Sequence, residues 1–462
     1  MKLNSYTKVC EEEAAVRSTR SSALKALTPG VLLLLVTWFT LGHLNLSWSF
    51  RSPSRNFVHN SLTVPVDLKN HCAHTSRIST SEYLQRHTAL ANVLLKLNAS
   101  AYIAEPGAST TFYGNISNAN WRLSERPLLL IITASDRLGE SSGAEISVLT
   151  PKFEITRAKE LYIPSAETVR YVEWSEDANP YAVAAKALSH TTGTIFVDSS
   201  IRKFIADGLQ SALPGATILS APSEITQLRE RKSSAEIDLL KCANEATVLA
   251  IRAVHKKLHV GIRESEARAM LARALSAVGL KDGGCLTLFG ENAALPHGSG
   301  TDRSLGTSDF ALFDCTASLH GYFSDVTRTV ALPSSKISAE HRRIWDRVRW
   351  AQTIALRTAH AGVLARKVDE AARSFLAAEG YAPYFTHRLG HGIGLEVHEE
   401  PYLRGGSNTV MKSGHTFSDE PGVYIEGNVG VRLEDCFFIT DEGVPALLTE
   451  AVGGQSASPW AP

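Results

Sequence analysis

The run His387-Arg-Leu-Gly-His391-Gly-Ile-Gly-Leu-Glu-Val-His398-Glu-Glu-Pro401 decides the reading of this chain, together with Phe417-Ser-Asp-Glu420-Pro-Gly-Val-Tyr424 and Gly430-Val-Arg432-Leu-Glu434-Asp435. Imidazoles and carboxylates alternate in these segments with glycines and apolar residues. Upstream, Phe313-Asp314-Cys-Thr-Ala-Ser-Leu-His-Gly-Tyr-Phe-Ser-Asp325-Val-Thr-Arg328 adds two more carboxylates in a strand-like setting. If 311–315 and 324–330 pair as a hairpin turning at Leu319 and His320, Asp314 and Asp325 lie directly opposite, with Cβ atoms about 5 Å apart. A loop centred on Gly427 sets Glu420 opposite Glu434 in the same way. Two facing pairs of like charges repel by some tenths of a kcal/mol each. A cation between them removes that cost.

Asp314, Asp325, His391, Glu420 and Glu434 therefore read as one metal cage. Four carboxylates and one imidazole offer more donors than one ion takes from protein, and two divalent ions balance the charge, about 3.5–4 Å apart. The oxygen-rich set favours Mn²⁺, with Co²⁺, Fe²⁺ or Zn²⁺ as alternatives, whereas a structural zinc site would show more Cys and His. Any one of these residues alone would be explained as a solvated strand-end acid or an ordinary histidine. Five together at these spacings, among glycine-rich turns, are not.

In these residues the chain resembles the pita-bread metallopeptidases: aminopeptidase P, prolidase, methionine aminopeptidase and the related creatinase. The resemblance spans about residues 228–446. It implies two metals on the five positions, Glu420 as acid/base partner of the attacking water, and His297 and His398 as the imidazoles that hold the scissile carbonyl and the tetrahedral intermediate. His387 and Arg432 join His297 and His398 as substrate-binding residues. Two positions depart from the pattern of many relatives, Gly298 and Thr316, and both bear on the shape of the pocket. The implied reaction is hydrolysis of Xaa-Pro bonds with release of the N-terminal residue, on a peptide with proline in second position. A prolidase-like dipeptidase is the alternative, and a non-catalytic binding protein on the same fold is the reading from another class. The resemblance also implies a homodimer.

At 462 residues the chain is long enough for two substantial domains plus extensions. Lys+Arg and Asp+Glu both number 47, and no basic stripe marks a nucleic-acid partner. The six cysteines are scattered without CxxC spacing, which supports neither a disulfide framework nor a thiolate metal site.

Residues 31–50 contain no Asp, Glu, Lys or Arg and are long enough to cross a bilayer core. Lys2, Lys8, Arg17, Arg20 and Lys25 precede them, against Arg51 and Arg55 after. That bias predicts a signal anchor with residues 1–30 cytoplasmic and the rest lumenal or extracellular, with a cleaved signal peptide and secretion as the alternative. Asn98-Ala-Ser and Asn115-Ile-Ser fit the glycosylation pattern.

Residues 51–80 read as a stalk. Short apolar runs at 101–103, 128–132, 146–149 and 194–197 alternate with helical patterns at 81–97, 180–188 and 201–213, which predicts an α/β N-terminal domain over 81–222. This domain resembles the one that precedes the catalytic domain in aminopeptidase P, prolidase and creatinase. The α+β pita-bread catalytic domain is expected over 228–450. Its helices are read from the capping box Ser233-Ser-Ala-Glu236 and from periodicity at 265–275, 344–358 and 368–379. Residues 451–462, small and rich in Gly, Ser and Pro, are expected to be disordered.

Overall fold

The central strands of the first half alternate apolar residues between two faces, and the middle of the sheet they form is buried on both. The computed structural model describes residues 70–135, 143–188 and 193–462. Six strands, β1 (Ala99–Ala104), β2 (Leu129–Ser135), β3 (Gly143–Pro151), β4 (Arg170–Trp174), β5 (Gly193–Val197) and β6 (Ala216–Ser220), pair in the order β4-β3-β2-β1-β5-β6. β1 shows why the sheet is covered twice. Ala101 and Ile103 enter one core with Ile205 and Leu209 of helix Lys203–Ala212, while Tyr102 and Ala104 enter another with Leu90 and Leu94 of helix Thr80–Lys96. Successive side chains of a strand point to opposite faces, so an apolar run needs a helix on each.

The second half begins at helix Ser234–His255, where the capping box closes as its sequence predicts. Glu236 N donates to Ser233 Oγ at 3.2 Å, and Ser233 N donates to Glu236 Oε2 at 2.9 Å. The helix packs Leu239, Ala243 and Ala246 on the antiparallel sheet β7 (Lys281–Phe289), β8 (Ala311–Leu319) and β9 (Tyr322–Val330). A five-stranded sheet runs β11-β10-β12-β15-β16, from β10 (Gly390–Gly392), β11 (Glu399–Leu403), β12 (Thr416–Asp419), β15 (Asp435–Ile439) and β16 (Pro445–Leu447). β13 (Gly422–Ile425) and β14 (Val429–Arg432) form a separate two-stranded hairpin. Helices Ala339–Thr358 and Ala365–Ala378 cover this part with Trp345, Val348, Ala372 and Leu376 against Phe417, Phe437, Val423 and Val431.

Four expectations need correction. The pita-bread fold stands, but among the described residues no helix is long and apolar enough to cross a membrane. The membrane helix expected at 31–50, and the single-pass lumenal or extracellular placement built on it, are withdrawn; that stretch lies outside the described residues. The cysteines are not all isolated: Cys72 bonds to Cys242, and Cys285 to Cys315. Cys285 and Cys315 are cross-strand partners on β7 and β8, a proximity that only the pairing register reveals. Residues 451–462, expected to be disordered, are tied down. Ala331 N donates to Pro459 O at 2.8 Å, Trp460 Nε1 to Leu332 O at 3.0 Å, and Arg328 Nη2 to Gly454 O at 3.1 Å. Finally, the β8–β9 hairpin turns at His320 and Gly321, both at positive φ, one residue later than read. Asp314 then faces Thr327, and Asp325 faces Thr316. The two aspartates are diagonal neighbours rather than opposed, and the shift of two keeps them on one face.

Candidate metal centre

β8 and β9 present Asp314 and Asp325, β10 presents His391, and the segments joining β12 to β13 and β14 to β15 present Glu420 and Glu434. On one side of these last two, Asp419 pairs with Asp435; on the other, Gly422 pairs with Arg432. Both pairings carry the same register, so Glu420 and Glu434 face each other between them, as their spacing about Gly427 suggests. His391 sits between two glycines for a steric reason. A Cβ on Gly390 would lie 2.0 Å from Ser418 O, and one on Gly392 would lie 2.5 Å from Glu399 O. Only bare backbone lets β10 approach β12 and β11 closely enough to aim the imidazole inward.

The donors converge in three overlapping groups: Asp314, Asp325 and Glu434; His391, Glu420 and Glu434; Asp325, His391 and His398. Within each group the ligand atoms lie within 4.8 Å of one another. His391 Nε2 is 3.3 Å from Glu420 Oε1 and 3.6 Å from Asp325 Oδ2. Its Nδ1 is 3.0 Å from Gly392 O and donates there, which leaves the Nε2 lone pair facing the carboxylates. Thr327 Oγ1 donates to Glu434 Oε2 at 2.7 Å. Among the described residues, the buried oxygens Asp325 Oδ1 and Glu434 Oε1 have no hydrogen-bond partner. Buried acceptors left over in an oxygen-rich cluster are what a divalent cation fits.

The electrostatics agree. Burial pushes the Asp325 carboxyl well up, and the facing charges of Glu434, Asp314 and Glu420 push it further. Burial raises Glu434 likewise, with Glu420 and Asp314 adding to it. Burial would also raise Glu420, but its hydrogen bond to His391 and the nearby His387 and Arg432 outweigh that and hold it at about 2. His398, its ring centroid 4.2 Å from that of His391, is pushed down to about 4, first by burial and then by His391.

The other expected site residues lie around the cage. Arg432 Nη2 donates to Asp314 Oδ2 at 2.7 Å and its Nη1 to the Tyr424 hydroxyl at 3.0 Å. His387 Nε2 stands 2.8 Å from the same hydroxyl, so His387, Tyr424, Arg432 and Asp314 form one chain. His297 is exposed on the loop after β7, and Arg432 anchors that loop by donating to Pro296 O at 3.3 Å. Tyr424, Thr327 and Ser418 were not singled out in the sequence. Thr327 carried a signal, since it follows Asp325 by two along a strand and so shares its face.

The model of Metallopeptidase family M24 matches residues 238–441. An uncharacterized peptidase of Schizosaccharomyces pombe is 38% identical over 390 residues, covering 83% of this chain and 84% of that one. An Xaa-Pro dipeptidase of Lactobacillus delbrueckii subsp. lactis is 34% identical over 284 residues, 60% of this chain and 70% of its own. Among solved structures, dipeptidase PepE from Mycobacterium ulcerans superposes with a TM-score of 0.71 at 30% identity, covering 81% of this chain and 97% of its own. A prolidase from Thermococcus sibiricus does so at 0.69 and 26% identity, covering 81% and 98%. The cage of carboxylates and imidazoles thus sits within the matched segment of a family of metal-dependent peptidases, and the chain belongs to metallopeptidase family M24 as a peptidase of that family.

Proposed function

We propose that this chain hydrolyses the peptide bond that precedes proline and releases the N-terminal residue, using two divalent ions held by Asp314, Asp325, His391, Glu420 and Glu434. The observation that carries the reading is the convergence of those donors, with Asp325 Oδ1 and Glu434 Oε1 left as buried acceptors. The donor set favours Mn²⁺, with Co²⁺, Fe²⁺ or Zn²⁺ as alternatives. Bound divalent ions supply a water acidic enough to attack near neutral pH and a Lewis acid for the carbonyl.

The protein's own groups do the rest. Glu420, ionised over the whole physiological range, takes the proton of the attacking water and returns it to the leaving nitrogen. His398 stays neutral down to about pH 4, so its N–H is available to the carbonyl oxygen as charge develops there. His297 is the second such donor, and its loop is anchored through Arg432. His387 and Arg432, joined by Tyr424, orient the substrate.

The preference for proline is supported by the names of the Xaa-Pro dipeptidase and prolidase relatives. The same names, with dipeptidase PepE, favour a second reading in which only dipeptides are cleaved. The division into domains at 81–222 and 228–450 and a homodimer are part of the same proposal. Metal-loaded protein offered Ala-Pro, Ala-Pro-Ala and Ala-Ala tests it. Cleavage of both proline peptides upholds the first reading, cleavage of Ala-Pro alone selects the second, and Ala-Ala as the best substrate contradicts both.

A further inference from the structure

A cavity of about 270 Å³ borders the metal centre and shares His398 with it. Its wall joins the C-terminal ends of β1 and β5 to the loop entering β11. Most charges on this wall are already committed. Asp198 accepts from the Tyr102 hydroxyl at 2.6 Å, from Ser109 Oγ at 2.5 Å and from Ser200 N at 2.9 Å. Arg229 pairs with Glu396, and Lys232 pairs with Glu399 at 2.5 Å.

Two carboxylates are not committed. Glu230 and Glu400 both line the cavity, and among the described residues no cation hydrogen-bonds to either side chain. Burial and then the facing charge of Glu400 push the Glu230 carboxyl up, even with Lys232 and Lys412 in the neighbourhood. A second observation is independent of the acids. Tyr113, only 3% exposed, forms part of the wall, and among the described residues its buried hydroxyl has no hydrogen-bond partner. A buried hydroxyl left unmatched has lost water without a return, so it favours a polar occupant.

We propose that this cavity receives the side chain of the residue N-terminal to the scissile bond, and that Glu230 and Glu400 select lysine or arginine there. The inference rests on the function proposed above, which puts His398 on the scissile carbonyl. The side chain of the residue owning that carbonyl leaves from the adjacent carbon, within reach of a cavity that begins at His398. An ammonium or guanidinium entering it separates the two carboxylates and donates to Tyr113. A neutral side chain of the same length fills the space and does neither.

The test compares lysyl-proline with norleucyl-proline, and arginyl-proline with citrullyl-proline, as ratios of kcat/KM. The cationic member of each pair should be favoured by about tenfold or more, chiefly through KM, and the ratios should fall to about two or less in the Glu230→Gln/Glu400→Gln double variant. Ratios near one in the native protein, or ratios the double variant leaves unchanged, overturn the inference. An equal loss on both members of a pair overturns it as well, because the acids would then hold the α-ammonium. If the loaded protein cleaves no Xaa-Pro peptide, the proposed function fails, and calorimetry with lysinamide and norleucinamide still decides the cavity. Tighter lysinamide binding that the double variant abolishes upholds the inference; equal binding of the two overturns it.

Discussion

His391 and His398 are close in space but differ in setting. His391 is 1% exposed, with Nε2 turned to Glu420 and Asp325, whereas His398 is exposed at the edge of the cage. His391→Ala should therefore lose bound metal, because a buried ligand is gone. His398→Ala should keep its metal and lose about 10²–10³-fold in kcat, the usual effect of removing one donor to a developing oxyanion. Metal analysis and steady-state rates on the two variants separate the roles, and equal metal loss would make His398 a ligand. At this scale the carboxylates stood out, because like charges at strand spacings need an explanation, whereas His297 and His398 stood out only through the family resemblance. Their supports were not. Tyr424 and Ser418 are ordinary strand-end residues until folding brings them against His387 and Glu420. Thr316, noted as a departure from many relatives, proves to be the residue directly opposite Asp325.

Strands and turns were legible in proportion to their burial. β1, β2, β3 and β5 carry apolar runs and were read, whereas the edge strands β4 and β6 are half exposed and leave little pattern. The Ser233 capping box is a local device and survived intact. The β8–β9 turn was misplaced by one residue because His320, a non-glycine residue at φ 52°, takes the first turn position before Gly321. The turn leading into β12 carries a prediction of its own. His415 is buried and accepts from Lys412 N through Nδ1 at 3.4 Å. Burial, with Lys232, Lys412 and Arg231 nearby, holds it down to about 4. Unfolded, it titrates near ~6.5. Its contribution to stability is therefore complete above about pH 6.5 and is lost as pH falls toward 4, because the unfolded chain takes the proton first. Thermal melts between pH 7 and pH 4 should show a smaller decline for His415→Gln than for the native protein. An unchanged slope would remove His415 from that account.

Across the whole molecule, the tie between distant segments was the least legible feature. The Cys72–Cys242 bond joins the segment before helix Thr80–Lys96 to helix Ser234–His255 across 170 positions. No spacing rule connects residues so far apart, and the scattered cysteines read as unpaired. Cys72→Ser should lower stability by about 2–4 kcal/mol, measured by denaturant unfolding against the native protein. A variant as stable as the native protein would show that the bond constrains nothing. The second half was legible because its carboxylates and imidazoles recur in order along one stretch, whereas the membrane helix was inferred from apolarity and flanking charge alone. What unites sequence, fold and proposed chemistry is the claim that five side chains from β8, β9, β10 and the ends of β12 and β14 hold metal for hydrolysis. The most direct measurement is the metal content of the purified chain, taken with its rate on Ala-Pro before and after chelation and reloading with Mn²⁺. About two ions per chain are expected, with activity that disappears with them and returns on reloading, and neither property is expected in Glu434→Gln. Cleavage of Ala-Pro that persists in fully metal-free protein would contradict it.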